Sequence, residues 1–363
     1  MNWQGESVSA DPTLVLIGPT PPPLGGVSVH LARLSCQLAR FGVRHCVLSS
    51  TATTGDDVIR PLGRHRLLSL LRVAPRLRNK AVIVHSSELH GLLSAILLKF
   101  FGARVAQFYH NGRALKRLGA SKWKAYLGGL ALRRLDRVYT VNTLIAEQVR
   151  ALAGNGVAVE VLAAFLPPTQ KELVANYLHN HIPASAKVIG WCGLTRGDRA
   201  DIYGFDFFLE LLLQINQKSV NVYGLVAASD GLDPSLLSSS DRVKLEALGD
   251  HLVLLATETP FVAVMQRLSL FLRPTSSDGD AVSIREALSL GVPVLASAVT
   301  PRPAGCDTYP FGDMENCLSK VIKLLEQKEK TRVIPAAKNL LTLDFSPEKA
   351  FDSLSRLIRH LQA

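Results

Sequence analysis

A chain of 363 residues, 47% hydrophobic and 20% charged, exceeds what one hydrophobic core normally serves and has a globular composition, which excludes disorder and low-complexity or repeat folds and sets two domains as the expectation. Its net charge of +11 is unevenly spread: residues 1–165 hold 21 Lys and Arg against 8 Asp and Glu, a net of +13, while the remainder holds 20 against 22, a net of −2. The five cysteines are scattered, odd in number and free of any C-x-x-C pair, so neither a disulfide framework nor a zinc site is indicated.

The opening stretch "MNWQGESVSADP" lacks the basic flank and apolar core of a signal peptide, and no run reaches the roughly 18 apolar residues of a membrane span, so a cytoplasmic chain is expected. "TLVLIG" (Thr13 to Gly18) is a continuous apolar run of the kind buried on both faces of a parallel sheet, followed by a Pro/Gly loop and the helical period of "VSVHLARLSCQLARF". The alternation continues with strands in "HCVLSS", "AVIVHS", "RVAQFYH", "RVYTVN" and "VAVEVL" and with helices over Gly91 to Phe101 and Lys122 to Arg134, which specifies a doubly wound parallel sheet.

Two segments of this half, Arg60 to Lys80 and Gly112 to Arg137, carry most of its basicity. They contain only Trp123 and Tyr126 as stacking aromatics, which argues against nucleic acid as a partner. In the second segment Trp123, Tyr126, Leu127, Leu130 and Leu135 recur at near-helical intervals among Lys116, Arg117, Lys122, Lys124, Arg133, Arg134 and Arg137. That is the pattern of a helix lying on anionic headgroups, with a merely solvated basic face as the alternative.

"AAFLPPTQKE" interrupts the apolar runs with two prolines and marks an interdomain linker, so residues 1–165 are expected to form the first domain. A second series comes next in "KVIGWCGL", "FDFFLELLLQIN", "SVNVYGL", "HLVLLAT", "LSLFLRP", "SIREALSLG" and "VPVLAS", giving a second domain over 166–345. Ser346-Pro347 then opens an amphipathic helix over 346–363 that is expected to return to the first domain. The fold class expected is α/β, with two Rossmann-like domains facing a central cleft.

Ligands of such sheets bind at the C-terminal edges of the strands. Gly25 and Gly26 lie there, between the first strand and the first helix, where a backbone without side chains and a helix dipole suit an anion. The stretch is not G-x-G-x-x-G, so no dinucleotide fingerprint is present. His110 also follows a strand and is a candidate for hydrogen bonding or proton transfer; His30, His85, His90 and Glu88 have similar places in weaker context. Asp278, Asp280 and Glu286 form the densest constellation, and Val282, Ser283 and Ile284 open the next helix, whose amides suit phosphate. Three carboxylates so close would repel one another, so they are expected to meet neutral hydroxyls or a cation. Asp278-Gly279-Asp280 also reads as a D-x-D pair able to hold a divalent ion.

"DGDAVSIREALSLGVPVLAS" resembles the acid-x7-acid motif of retaining GT-B glycosyltransferases of the large family four; "GPTPPPLGGVSVHLARL" is similar to that family's glycine loop, and "GLTRGDRADIYGFDFFLELL" to its second phosphate-contacting loop. The resemblance implies that Gly25 and Gly26 approach a donor diphosphate, that His110 lies beside the sugar, and that Arg196 contacts phosphate. It further implies that Asp278 holds hydroxyls of the transferred sugar, Glu286 the ribose, and the amides of Val282, Ser283 and Ile284 the phosphates. Two positions depart from the pattern: Asp278 stands where the family usually has Glu, and Tyr203 stands before Gly204-Phe205-Asp206 where it usually has Lys, a charge Arg199 could replace.

The activity implied by the resemblance is that of a retaining hexosyltransferase with no metal and no cofactor beyond the nucleotide-sugar donor, acting on a lipid-linked or oligosaccharide acceptor. The carrier would be a polyprenyl diphosphate at the inner face of the plasma membrane, in cell-surface polysaccharide synthesis. A nucleotide-sugar epimerase or hydrolase on a similar scaffold, and a non-catalytic peripheral-membrane homologue, are the alternatives.

Overall fold

The apolar runs become parallel strands buried on both faces, as strands covered by helices on each side must be. The computed structural model describes residues 12–63, 65–86, 88–173, 182–195, 200–218, 221–255 and 259–327. The helix expected over 346–363 lies outside the described residues, as do Arg196 and Arg199. The chain forms two compact units, with the main crossing between Leu166 and Pro167 and with Pro23–Gly26 grouped with the second unit.

The first unit holds a sheet of seven strands: β1 (Leu14–Gly18), β2 (His45–Ser49), β3 (Ile59–Pro61), β4 (Ala81–His85), β5 (Arg104–Tyr109), β6 (Arg137–Thr140) and β7 (Val159–Val161). Their order is β3-β2-β1-β4-β5-β6-β7, and all neighbours pair in parallel. Every residue of β1 and β4 is buried. Parallel neighbours need long crossovers, and these are carried by α1 (Gly26–Arg40), α2 (Arg66–Val73), α3 (Leu89–Phe100), α4 (Arg113–Gly119), α5 (Lys122–Arg133) and α6 (Thr143–Ala153). Local chemistry sets the helix starts: the Asn142 side chain accepts the Ile145 N–H at 2.9 Å to cap α6, and Ser121 caps α5.

Two long-range bonds fix α1 against the end of the unit. His30 Nδ1 donates to the Ala164 carbonyl at 2.6 Å, and the buried Arg33 donates through Nη1 to the Leu166 carbonyl at 3.0 Å. Gly128 and Gly129 are buried on α5, and a Cβ on Gly129 would strike the carbonyl oxygen of Leu152 in α6, so glycine is what lets the two helices approach. With that side turned inward, the opposite side of α5 presents Trp123, Tyr126, Leu127 and Leu130 to the exterior.

The second unit holds a six-stranded parallel sheet of order β10-β9-β8-β11-β12-β13, from β8 (Lys187–Gly193), β9 (Val222–Ala228), β10 (Leu252–Leu254), β11 (Leu270–Arg273), β12 (Val294–Ser297) and β13 (Cys306–Tyr309). Strand alternation feeds two cores, one on each face: Leu270 and Leu272 pack with Trp191, Phe208 and Leu212, while Phe271 between them packs with Met265 and Leu268. Gly204 precedes the helix Phe205–Gln217 with φ 64° and ψ 45°, a left-handed conformation, and a Cβ there would strike the Pro274 carbonyl. The glycine of "YGFD" is therefore demanded by the fold. Both units are Rossmann-like, in agreement with the fold class expected from the sequence. Among the described residues no helix is long and apolar enough to cross a membrane.

Candidate functional site

The repulsion expected among the clustered carboxylates is resolved by arginines. Arg273, the last residue of β11, donates through Nε to Asp278 Oδ2 at 3.2 Å, and Arg302 donates through Nη1 to the same oxygen at 2.9 Å. The Gly279 N–H binds Asp278 Oδ1 at 3.0 Å, and the Thr275 hydroxyl approaches Oδ2 at 3.4 Å. Asp280 accepts Arg285 Nε on both oxygens, at 2.6 and 2.7 Å. Arg302 also reaches the Ser297 carbonyl at 3.0 Å and the Thr275 hydroxyl at 3.2 Å, so the ends of β11 and β12 are joined through one guanidinium.

Burial is deep: the side chains of Arg302, Asp278 and Asp280 are 3%, 10% and 6% exposed. Burial alone would raise the Asp278 carboxyl, but the Arg273 and Arg302 guanidiniums outweigh it and hold the group down at about 2. Burial dominates at Asp280, whose carboxyl is raised in spite of Arg285. Asp278, expected to accept hydroxyls of a sugar, accepts hydrogen bonds from Arg273, Arg302, Thr275 and Gly279. The D-x-D pair likewise meets guanidiniums, two at Asp278 and one at Asp280.

Tyr203, standing in the lysine position of the resembled motif, lays its ring under Arg273, with the guanidinium carbon 5.1 Å from the ring centroid. A cation is thus held at Tyr203, supplied by β11. Past this network the helix Val282–Ser289 starts on Ala281 with no side-chain cap and no acid in its first turn. Glu286 is buried one turn inside it, and Ser283 hydrogen-bonds the Cys192 thiol. Of the three amides expected to serve an anion, that of Ile284 donates to the Ala281 carbonyl at 3.1 Å, which withdraws it from the set and leaves Val282 and Ser283 as candidates.

At the other candidate anion site, Gly26 is the opening residue of α1, a 15-residue helix without an acid in its first turn. Its φ is not positive, and a Cβ there would meet nothing within 4 Å. Gly25 precedes it at the exposed end of the same loop. His110 follows β5 and is buried together with His30 of α1 and His85, the last residue of β4. His85 Nδ1 lies 3.2 Å from His110 Nε2, and the His30 ring centroid is 5.3 Å from that of His85 and 5.1 Å from that of His110. Desolvation, together with the nearness of the other imidazoles, keeps His85 and His110 neutral with values well below the ordinary histidine. His30 is pushed down to about 4, chiefly by burial. His90, by contrast, is exposed on α3, and Glu88 pairs with Arg117 at 3.5 Å.

The basic residues of the expected membrane face divide. Lys116, Arg117, Lys122, Lys124 and Arg134 are exposed, and Trp123 and Tyr126 beside them are 67% and 59% exposed. Leu135 is buried beyond the end of α5, Arg137 pairs with Glu160 at 3.4 Å, and Arg133 donates through Nε to the Ala153 carbonyl at 3.1 Å. Leu135 and Arg137 serve the packing of the unit, because the helix ends at Arg133 and the chain turns into β6, while Arg133 itself stays exposed.

Sequence reasoning did not single out Arg273, Arg302 and Arg285. Arg273 carried a signal, a charged residue ending an apolar strand, whereas Arg302 in "TPRPAG" carried none. It also ranked His30 and His85 below His110, although all three stand at strand ends or a helix start in neighbouring crossovers.

Residues 25–164 match the family described as glycosyl transferase 4-like domain, so the resemblance read from the motifs is borne out for the first unit. No curated protein matches the chain's sequence significantly. Among solved structures the chain is similar to sucrose-phosphate synthase from Thermosynechococcus elongatus, with a TM-score of 0.71 and 16% identity over 96% of this chain and 98% of that one. Anabaena Alr3699/HepE in complex with UDP and glucose gives 0.69 and 14% over 96% and 100%. The lipopolysaccharide outer core galactosyltransferase WaaB gives 0.59 and 12% over 95% and 98%. At these identities the likeness is one of fold, and that fold is GT-B.

Proposed function

We propose that this chain, whose first unit is a glycosyl transferase 4-like domain, is a retaining glycosyltransferase that moves a hexose-type sugar from a nucleotide-sugar donor to a glycan acceptor. One observation carries the reading. Two helices, α1 and Val282–Ser289, begin at strand ends with no acid in their first turns, the second also without a side-chain cap, so neither brings a carboxylate of its own first turn to its positive end. A diphosphate is the anion such ends suit.

In the transfer, negative charge grows on the departing diphosphate while the sugar gains oxocarbenium character. The amides of Val282 and Ser283 and those of the Gly25-Gly26 loop are the donors for that charge, with Arg196 and Arg199 as further candidates. Asp278 acts as a positioning residue that orders Arg273 and Arg302 beneath the helix start. Glu286 offers its buried carboxylate to the ribose. Neutral His110 hydrogen-bonds the sugar and donates no formal charge to the step. Transfer proceeds on these groups without metal.

The test is nucleotide release from a panel of nucleotide sugars, with and without lipid-linked and free oligosaccharide acceptors. Release that depends on acceptor, with retained anomeric configuration in the product, is the expected result. Donor turnover at equal rate without acceptor would replace the reading with a hydrolase or epimerase.

The acceptor is a polyprenyl-diphosphate-linked saccharide at a membrane surface, which the exposed α5 face supports: Trp123, Tyr126, Leu127 and Leu130 stand beside Lys122 and Lys124. Each basic residue at an anionic surface contributes about 1 kcal/mol, so Lys122→Ala with Lys124→Ala is expected to weaken binding to anionic vesicles about 30-fold. Added salt reproduces part of that loss in the wild type. Vesicle binding that ignores both changes would reduce the face to a solvated surface.

A further inference from the structure

We propose that His30, His85 and His110 form a binding site for a divalent transition-metal ion of the zinc and cobalt class, held by three imidazole nitrogens within the first unit. The inference goes beyond the transfer reaction and does not rest on it.

One ring nitrogen from each of the three residues falls within 4.8 Å of the others. On metal–nitrogen bonds of about 2.0–2.1 Å, tetrahedral ligands stand about 3.4 Å apart. The 3.2 Å hydrogen bond between His85 Nδ1 and His110 Nε2 already fits that spacing, its proton passing to the far nitrogen of the donor ring or to solvent when the ion binds.

The protonation of His30 is fixed by its partner. A carbonyl oxygen only accepts, so the 2.6 Å contact with Ala164 places the proton on Nδ1 and leaves Nε2 as a bare lone pair. Metal-ligating histidines are ordinarily oriented in this way, the far nitrogen donating to a backbone carbonyl while the near one faces the ion. His30 Nε2 is nevertheless buried without a hydrogen-bond partner. Buried polar atoms left unpaired call for an explanation, and a bound ion is one of the few available.

The three imidazoles are supplied by rigid elements: α1, the end of β4 and the residue after β5, with β4 and β5 adjacent in the sheet. Phe108 stacks against His85 and His110 with centroids 5.1 and 4.6 Å away, which fixes the planes of both imidazoles. Neutral imidazoles in a dry setting are the form that binds zinc. Arg33 lies close enough to oppose positive charge at His30, so the fourth ligand suited to the ion is an anion such as hydroxide or chloride.

The test uses the full chain, free of any polyhistidine tag and stripped with a chelator, titrated with Co²⁺ alone. A single saturable site with the visible absorption of tetrahedral, nitrogen-ligated cobalt, displaced by Zn²⁺, is expected. His30→Gln and His85→Gln are each expected to weaken it at least about 100-fold, at or beyond the effect of losing a group that merely orients a ligand. His90→Ala, on the exposed part of α3, is expected to leave it unchanged. Should either glutamine variant fail to fold, X-ray absorption of the zinc-loaded wild type decides: three imidazoles support the site, and two or fewer overturn it. No saturable cobalt binding, or affinity unaltered by both folded variants, also overturns it, with water then occupying the space. The titration needs no sugar donor, so its failure leaves the transferase reading standing.

Discussion

Replacing Asp278 with asparagine is expected to destabilise the second unit by about 3–5 kcal/mol at neutral pH, the range for removing one partner of a buried ion pair. The side chain keeps its shape, but Arg302, 3% exposed, and Arg273, 11% exposed, lose the carboxylate between them and remain charged. A carboxyl held at about 2 in the folded chain, against an unfolded value near 3.9, contributes about 2.6 kcal/mol through its ionisation alone. Because the folded value is the depressed one, the contribution is present above about pH 4 and is lost as pH falls through about 2. Denaturant midpoints of wild type and Asp278→Asn, compared at pH 7 and again between pH 4 and 2, measure this directly. The gap is expected to be wide at pH 7 and to narrow on acidification. A gap under about 1 kcal/mol at pH 7 would mean that the arginines find other partners once the carboxylate is gone.

Gly26→Ala is expected to do the reverse: leave stability intact and lower transfer about 100-fold, the scale on which a displacement near 1 Å at a reacting centre is felt. Neither backbone conformation nor packing requires glycine here, since φ is not positive and an added Cβ meets nothing within 4 Å. Alanine, the better helix former, even favours the first turn of α1. The methyl group would project into the space that the diphosphate is proposed to occupy. Melting temperature together with kcat/KM on the preferred donor separates the two effects. Undiminished turnover with an unchanged melting temperature would show that nothing approaches this loop closely.

The inner strands were legible because each is a continuous apolar run: "LVLIG" and "AVIVH" have no second interpretation once bounded by turn residues. The edge strands β3 and β13 were not, because "IRP" and "CDTY" are short, polar and paired on one side only. The acid-x7-acid stretch could be located from spacing, since strand, loop and helix succeed each other in the chain. Its electrostatics could not. Arg302 stands 24 residues beyond Asp278, and only the folding of β12 beside β11 brings them together. The histidine cluster has the same cause: His85 and His110 are 25 residues apart and meet because β4 and β5 are neighbours. Surface burial was legible only in part, for Leu135 fits the helical period of α5 and yet lies past its end.

The Arg302–Asp278 contact has a bearing on how such chains diversify. A glutamate at position 278 would carry its carboxylate a methylene further, into the space the Arg302 guanidinium fills between Thr275 and Ser297. Drift at one site therefore exposes a lineage to a poorly folded intermediate unless the other changes with it. In an alignment of descendants these two columns are expected to covary, travelling as one inherited unit while the residues around them vary separately.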